Sequence, residues 1–179
     1  MKSVIIVTGS PGSGKTTLCR ALAAREPQGL HLVSDVFYEF LSHPKNPATT
    51  ESKHQNTVMM NALGSAIQAF SRGGYEVYFD GIVGPWFLPV LRPYLEPLAA
   101  THYAVLQLSE DEALARVRAR EGDGLSPTVT QMHRQLAELG PFEKHRIEVG
   151  DRNEAQALEA VAQSLASGAL ELDWSRVDS

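Results

Sequence analysis

Short apolar runs alternate with amphipathic stretches along the chain. Val4-Ile5-Ile6-Val7 is an unbroken run of β-branched residues, the pattern of a central parallel strand buried on both faces. A glycine-rich stretch follows, then a helix starting near Gly14 with Leu18, Ala21 and Leu22 on one face. Leu30 to Ser34 reads as a second strand. From Ser52 to Phe70 the apolar positions Met59, Ala62, Leu63, Ala66, Ile67 and Phe70 recur at a helical period, and Gly73-Gly74 ends that helix.

Glu76 to Asp80 predicts a third strand, closed by a turn through Gly81 and Gly84-Pro85. Tyr103 to Leu108 predicts a fourth. Ser109 with Glu112 three residues on is a capping box opening the next helix, which ends at Gly122-Asp123-Gly124. Ser126-Pro127 opens another helix, with Ser126 as N-cap and Val129, Met132, Leu136 and Leu139 as its buried stripe. Arg146 to Val149 is a weak fifth strand. Asp151 is placed to cap a last helix that buries Leu158, Val161, Ala162 and Leu165. From about Ala169 the chain reads as a loose tail, with Trp174 able to dock.

Strands alternating with helices imply right-handed crossovers and an α/β architecture, a parallel sheet covered on both faces. The length of 179 residues suits one core, so residues 1–168 are read as a single domain and 169–179 as a C-terminal tail. The net charge of −5 argues against a nucleic-acid-wide electrostatic footprint. The single cysteine, Cys19, excludes an intrachain disulfide framework and fits a reducing compartment. The apolar run at Val4–Val7 is too short for a signal h-region or a membrane span, so a cytoplasmic protein without a membrane partner is expected.

Gly9-Ser10-Pro11-Gly12-Ser13-Gly14-Lys15-Thr16 fits the pattern G-x-x-x-x-G-K-[ST], with a strand before it and a helix after it. Small residues let successive backbone N–H groups point into one concavity, and the helix N-terminus adds partial positive charge. Lys15 reaches β- and γ-phosphates in such a loop, and the Thr16 hydroxyl ligates Mg²⁺. Thr17 follows in the first turn. The expected cofactors are therefore ATP and Mg²⁺. No N-K-x-D segment suggests guanine reading, and no H-R-D loop suggests a protein kinase.

Ligands of open parallel sheets sit at the carboxyl ends of the strands. Asp35 follows the second strand, where a carboxylate can accept the proton of an attacking hydroxyl or cap the helix after it. Asp80 closes the third strand and suits either a metal ion or the acceptor; an Asp-Gly turn is the plainer alternative. Trp86 and Phe87 can wall an acceptor pocket or simply pack, and Tyr38 and His43 are weaker candidates. Arg116 and Arg120 share a helix face and lead into the glycine break, as a lid near residues 116–134 would; Arg118 lies on another face. Arg134 belongs to this set only if its helix folds over the site. Asp151-Arg152-Asn153 follows the fifth strand, with Arg152 placed to meet the adenine.

With Lys15, Asp35, Asp80 and Arg116/Arg120 in this order, the chain resembles the small-molecule kinases of the P-loop superfamily. These include shikimate kinase, gluconate kinase and chloramphenicol phosphotransferase, which are built like nucleoside monophosphate kinases. The resemblance spans roughly residues 1 to 166. It implies a three-layer sandwich with a five-stranded parallel sheet in the order 2-3-1-4-5, an acceptor-binding helical region after strand two, and a lid over ATP. It also implies Asp35 as the acceptor-hydroxyl carboxylate and a small hydroxyl-bearing substrate. Shikimate kinases carry Asp-x-Asp at the end of strand two, whereas only Ser34 precedes Asp35 here. Polynucleotide 5′-kinases share the Pro-Gly-Ser-Gly-Lys loop and an acid like Asp35, but typically carry an arginine soon after it, where this chain has Val36, Phe37 and Tyr38. A nucleic-acid 5′-hydroxyl kinase and a non-catalytic ATP-binding module are the competing readings.

Overall fold

The first strand, β1 (Val4–Gly9), feeds two cores at once. Val4 and Ile6 point to one face, Ile5 and Val7 to the other, and all four are at most 2% exposed. The β1 backbone is paired on both edges by parallel neighbours, β3 (Glu76–Asp80) and β4 (Thr101–Gln107), which leaves its two faces to be covered by helices. With β2 (Gly29–Val33) and β5 (Arg146–Glu148) outside, the five strands run parallel in the order β2-β3-β1-β4-β5. The computed structural model describes residues 1–177 other than Asp123 and Leu125. Among the described residues no helix is long and apolar enough to cross a membrane.

On one face lie α3 (Lys53–Arg72) and α4 (Leu88–Leu95), whose Met60, Leu63, Ile67, Leu88, Leu91 and Leu95 pack on Val77, Phe79 and Tyr103. On the other lie α1 (Lys15–Ala23), α5 (Glu110–Glu121) and α7 (Glu154–Ala166), with Leu18, Leu22, Ala113, Val117 and Val161 against Tyr78, Ala104 and Leu106. A short α2 (Ser34–Glu39) follows β2, and α6 (Ser126–Gln135) follows α5.

Several local expectations change. The buried stripe of α3 is Met60, Leu63 and Ile67 with Asn56, Gly64 and Ser71, so the expected Ala62 is exposed and Phe70 is 39% exposed. Helix α4 was not foreseen: Pro89 sits in its first turn, where its missing N–H costs nothing, and Pro93 lies inside. The last helix is capped by Asn153, whose side chain accepts from Gln156 N–H in a reciprocal capping box, and not by Asp151. Leu136 and Leu139 are buried beyond the end of α6, in the turn that follows it. The Ser126 side-chain cap and the Asp123 of the glycine break fall outside the described residues.

The C-terminal segment is docked, contrary to the loose tail expected from Ala169. Leu170, Leu172 and Val177 are at most 5% exposed. Tyr103 N–H donates to Leu170 O at 2.9 Å, Leu172 N–H to Thr101 O at 2.8 Å, and Arg92 Nη1 to Val177 O at 3.0 Å. Trp174 is partly buried and packs on the same core.

Candidate functional site

The loop between β1 and α1 turns on glycines. Gly12 has φ 86° and Gly14, the N-cap of α1, has φ 88°, values that L side chains rarely adopt. A Cβ on Gly12 would come within 2.8 Å of the Ala113 carbonyl oxygen, and one on Gly9 within 2.6 Å of that of Leu106. The loop thus lies close against β4 and α5, an approach that side chains at Gly9 and Gly12 would block. Lys15 Nζ donates to Gly9 O at 3.0 Å and Ser10 O at 3.1 Å. Burial pushes the Lys15 pKa down, against the opposing pull of the Asp80 and Asp35 carboxylates. Residues 9–16, with the helix start at Lys15-Thr16-Thr17, fit a polyphosphate: backbone donors, a helix terminus and one ammonium converge there.

Asp35 and Asp80 come to the same place from different strands. Val33 and Asp80 are register partners across β2 and β3, so the end of β2 delivers Asp35 beside the end of β3. Both carboxylates line a cleft of about 170 Å³ together with Lys15, Thr16, Ile82 and Arg120. Asp35 is exposed at the first turn of α2, and Ser34 Oγ donates to its Oδ1 at 3.2 Å. The residue at the N-cap is Val33, which leaves Asp35 without the capping role considered for it. Asp80 is 3% exposed and accepts from His31 Nε2 at 3.2 Å.

No group of three or more His, Cys, Asp or Glu among the described residues forms a metal cage. Mg²⁺ fits nonetheless, because it keeps several waters and takes one or two protein oxygens beside substrate phosphates. Thr16 and Asp80 offer such hard oxygens on the wall of the cleft.

The expected acceptor aromatics are not on that wall. Trp86 is 46% exposed and its ring lies over Gly84, while Phe87 packs on the core. Tyr38 donates to Asn56 Oδ1 at 3.2 Å, and burial with the nearby Asp35 raises its pKa to about 12. His43 is exposed. The wall after β3 is instead Gly81 and Ile82, held by the next residue. Val83 N–H donates to Thr8 Oγ1 at 2.8 Å, and Val83 O accepts from Tyr103 Oη at 2.7 Å.

A second cleft, of about 650 Å³, opens on the other side of the loop. Gly12, Leu18, Val149, Arg152, Asn153 and Leu158 are among its walls, an apolar slot with polar groups at its mouth suited to a nucleoside. The first turn of α7 builds much of it; Asn153 stands here with Arg152, Leu158 was expected only as a core residue of the last helix, and Ala155 was not singled out by sequence. Arg116 lies here and donates to Gly150 O at 2.9 Å and, at 3.5 Å, to Gly12 O, tying the loop to the β5–α7 turn. Arg120 lines both clefts, at the point where a phosphate chain would pass between them. Arg118 and Arg134 line neither. Helix α6 reaches the segment between α2 and α3, where Gln131 Nε2 donates to Ala48 O at 2.8 Å.

The profile of the AAA domain family (AAA_18) matches residues 5–126. No curated protein matches the chain. Among solved structures, a gluconokinase from Sinorhizobium meliloti 1021 is similar at a TM-score of 0.69 and 18% identity, over 93% of this chain and 93% of that one. The tunicamycin resistance protein of Deinococcus radiodurans is similar at 0.65 and 16% identity, over 97% and 99%. A chain of the Pnkp1/Rnl/Hen1 RNA repair complex is similar at 0.61 and 20% identity, over 75% of this chain and 44% of that one. At such identities these are likenesses of fold.

Proposed function

This chain belongs to the AAA domain family, and on that premise we propose that it is an ATP-dependent phosphotransferase whose acceptor is a hydroxyl of a small molecule. The observation that carries the reading is the single cleft lined by Lys15, Thr16, Asp35, Asp80 and Arg120 at the mouth of the glycine loop. One side of this cleft suits a phosphate chain and the other presents a carboxylate to whatever lies opposite.

ATP·Mg²⁺, when bound, supplies the γ-phosphoryl group and the positive charge of the metal. The backbone N–H groups of residues 12–16 orient the phosphates, with Arg116 and Arg152 at the nucleoside end. Thr16 and Asp80 would hold the metal, Asp80 through water. Asp35 accepts the proton of the acceptor hydroxyl as its oxygen attacks, a role typically worth 10²–10⁴-fold. Its exposure leaves it accessible to an incoming molecule. Lys15 and Arg120 neutralise charge developing on the transferred group. In this reading residues 116–134 form the lid, and the docked segment after residue 168 belongs to the domain.

The test is ATP turnover with a panel of alcohols, sugars and nucleosides, followed by mass spectrometry for the gain of one phosphate. Asp35→Asn should lower turnover by about 10²-fold or more with ATP affinity nearly unchanged. Undiminished turnover would remove Asp35 from the mechanism. The likeness to the RNA repair complex keeps a 5′-hydroxyl polynucleotide kinase as the second reading. The net charge of −5 and two carboxylates on the cleft wall favour a small acceptor over a polyanion. Labelling of a 5′-hydroxyl oligonucleotide at low salt would reverse that preference. ATP binding with no acceptor phosphorylated would favour a regulatory module.

A further inference from the structure

We propose that His31 is a positioning residue that orients Asp80 for the metal ion. The inference rests on the reading of Asp80 as a metal carboxylate and goes beyond it by naming the group that makes the carboxylate fit for that task.

His31 stands two residues before Val33, the register partner of Asp80, so His31 and Asp80 project from the same face of the sheet on neighbouring strands. The diagonal separation on such a face is within reach of a long or aromatic side chain. The imidazole spans it, and Nε2 donates to Asp80 Oδ2 at 3.2 Å, which places the proton on that nitrogen. The His31 and Asp80 side chains are 16% and 4% exposed, so water competes little for this bond.

A carboxylate so deeply placed needs a fixed donor, because an unpaired buried charge is costly. Among the described residues, His31 is the hydrogen-bond donor to Asp80. Holding Oδ2 fixes the carboxylate plane and leaves Oδ1 for the cleft that Thr16 and Lys15 also line. Partners that orient a metal ligand in this way commonly change metal affinity by 10–100-fold when removed. A histidine that merely filled space on β2 would affect folding and would not distinguish ATP with Mg²⁺ from ATP without it.

The experiment is calorimetric titration of the full chain with ATP, in EDTA and at a series of Mg²⁺ concentrations, alongside thermal unfolding. His31→Leu should raise the Mg²⁺ concentration giving half of the metal-dependent gain in ATP affinity by about 10-fold, leaving affinity in EDTA unchanged. His31→Gln, whose amide nitrogen can take the place of Nε2, should restore most of it. Should His31→Leu fail to fold, His31→Asn, too short to reach Oδ2, carries the same comparison against His31→Gln. In an Asp80→Asn background, the His31 substitution should add nothing further.

An equal loss of ATP affinity with and without Mg²⁺, or a His31 effect that persists undiminished in Asp80→Asn, would overturn the inference. Asp80→Asn leaving the Mg²⁺ dependence untouched would instead show that the reading of Asp80 is wrong, and the role of His31 would fall with it. Intact Asp80 dependence with a silent His31→Leu would overturn the positioning role alone.

Discussion

Tyr103 and Val83 are joined by a 2.7 Å hydrogen bond from the phenol to the main-chain carbonyl, across the position of β1. Both residues are fully buried, and the Val83 N–H is held by Thr8 in the same way. The loop that walls the cleft of Asp35 and Asp80 is thus pinned at a main-chain donor and a main-chain acceptor. Tyr103→Phe keeps the ring contacts with Phe142 and His145 but strands the Val83 carbonyl. The expected cost is about 1–3 kcal/mol in urea unfolding, with faster amide exchange over residues 81–87. An unaltered midpoint and unaltered exchange would refute the clamp.

Gly12 and Gly14 share a positive φ but differ in surroundings. A Cβ at Gly12 meets the Ala113 carbonyl, whereas at Gly14 nothing lies within 4 Å. Gly14→Ala should therefore cost only backbone strain, about 1–2 kcal/mol. Gly12→Ala should also push the loop off α5 and weaken ATP binding by at least about 10-fold, as calorimetry would read. Equal ATP affinities for the two variants would count against the close approach described here.

Much of this architecture was legible in local sequence. The Ser109–Glu112 capping box forms as its spacing predicts, and both carboxylates, as strand-end residues of adjacent strands, reach one cleft. What escaped was non-local or conflicted. Pro89 and Pro93 hid the Leu88, Leu91 and Leu95 spacing of α4. Asp151 and Asn153 compete as caps, since each has a box residue, Glu154 or Gln156, three residues on, and the local pattern does not separate them. The outward turn of Trp86 and the pairing of His31 with Asp80 depend on strand register and loop path, which no short window of sequence encodes.

His145 is 1% exposed, and burial, aided by the charge of Lys144, lowers its pKa to about 4. The unfolded chain binds a proton near pH 6.5 that the folded chain refuses until near pH 4. Stability from this site is therefore full above pH 6.5 and declines as pH falls toward 4. Urea midpoints at pH 7 and pH 5 should differ, and His145→Gln should flatten that difference. A pH dependence identical in the variant would exclude His145 as its source.

Removal of residues 169–179 takes away buried Leu170, Leu172 and Val177 and uncovers the core beneath Trp174. Full burial of one such side chain is worth roughly 1.5–3 kcal/mol. The truncated chain should unfold at a clearly lower urea concentration, or fail to fold; an unchanged midpoint would contradict the docking.

That same segment has a bearing on how copies of the chain meet. β5 pairs only with Val105–Gln107 of β4, so the first half of β4 would present bare N–H and C=O groups at the margin of the sheet. Residues 170–172 cover it, with His102 and Glu171 forming an antiparallel bridge. An uncovered strand margin is a template for another chain. Residues 170–172 thereby double as a guard against self-association, and a chain lacking them is expected to aggregate by strand addition as well as to lose stability.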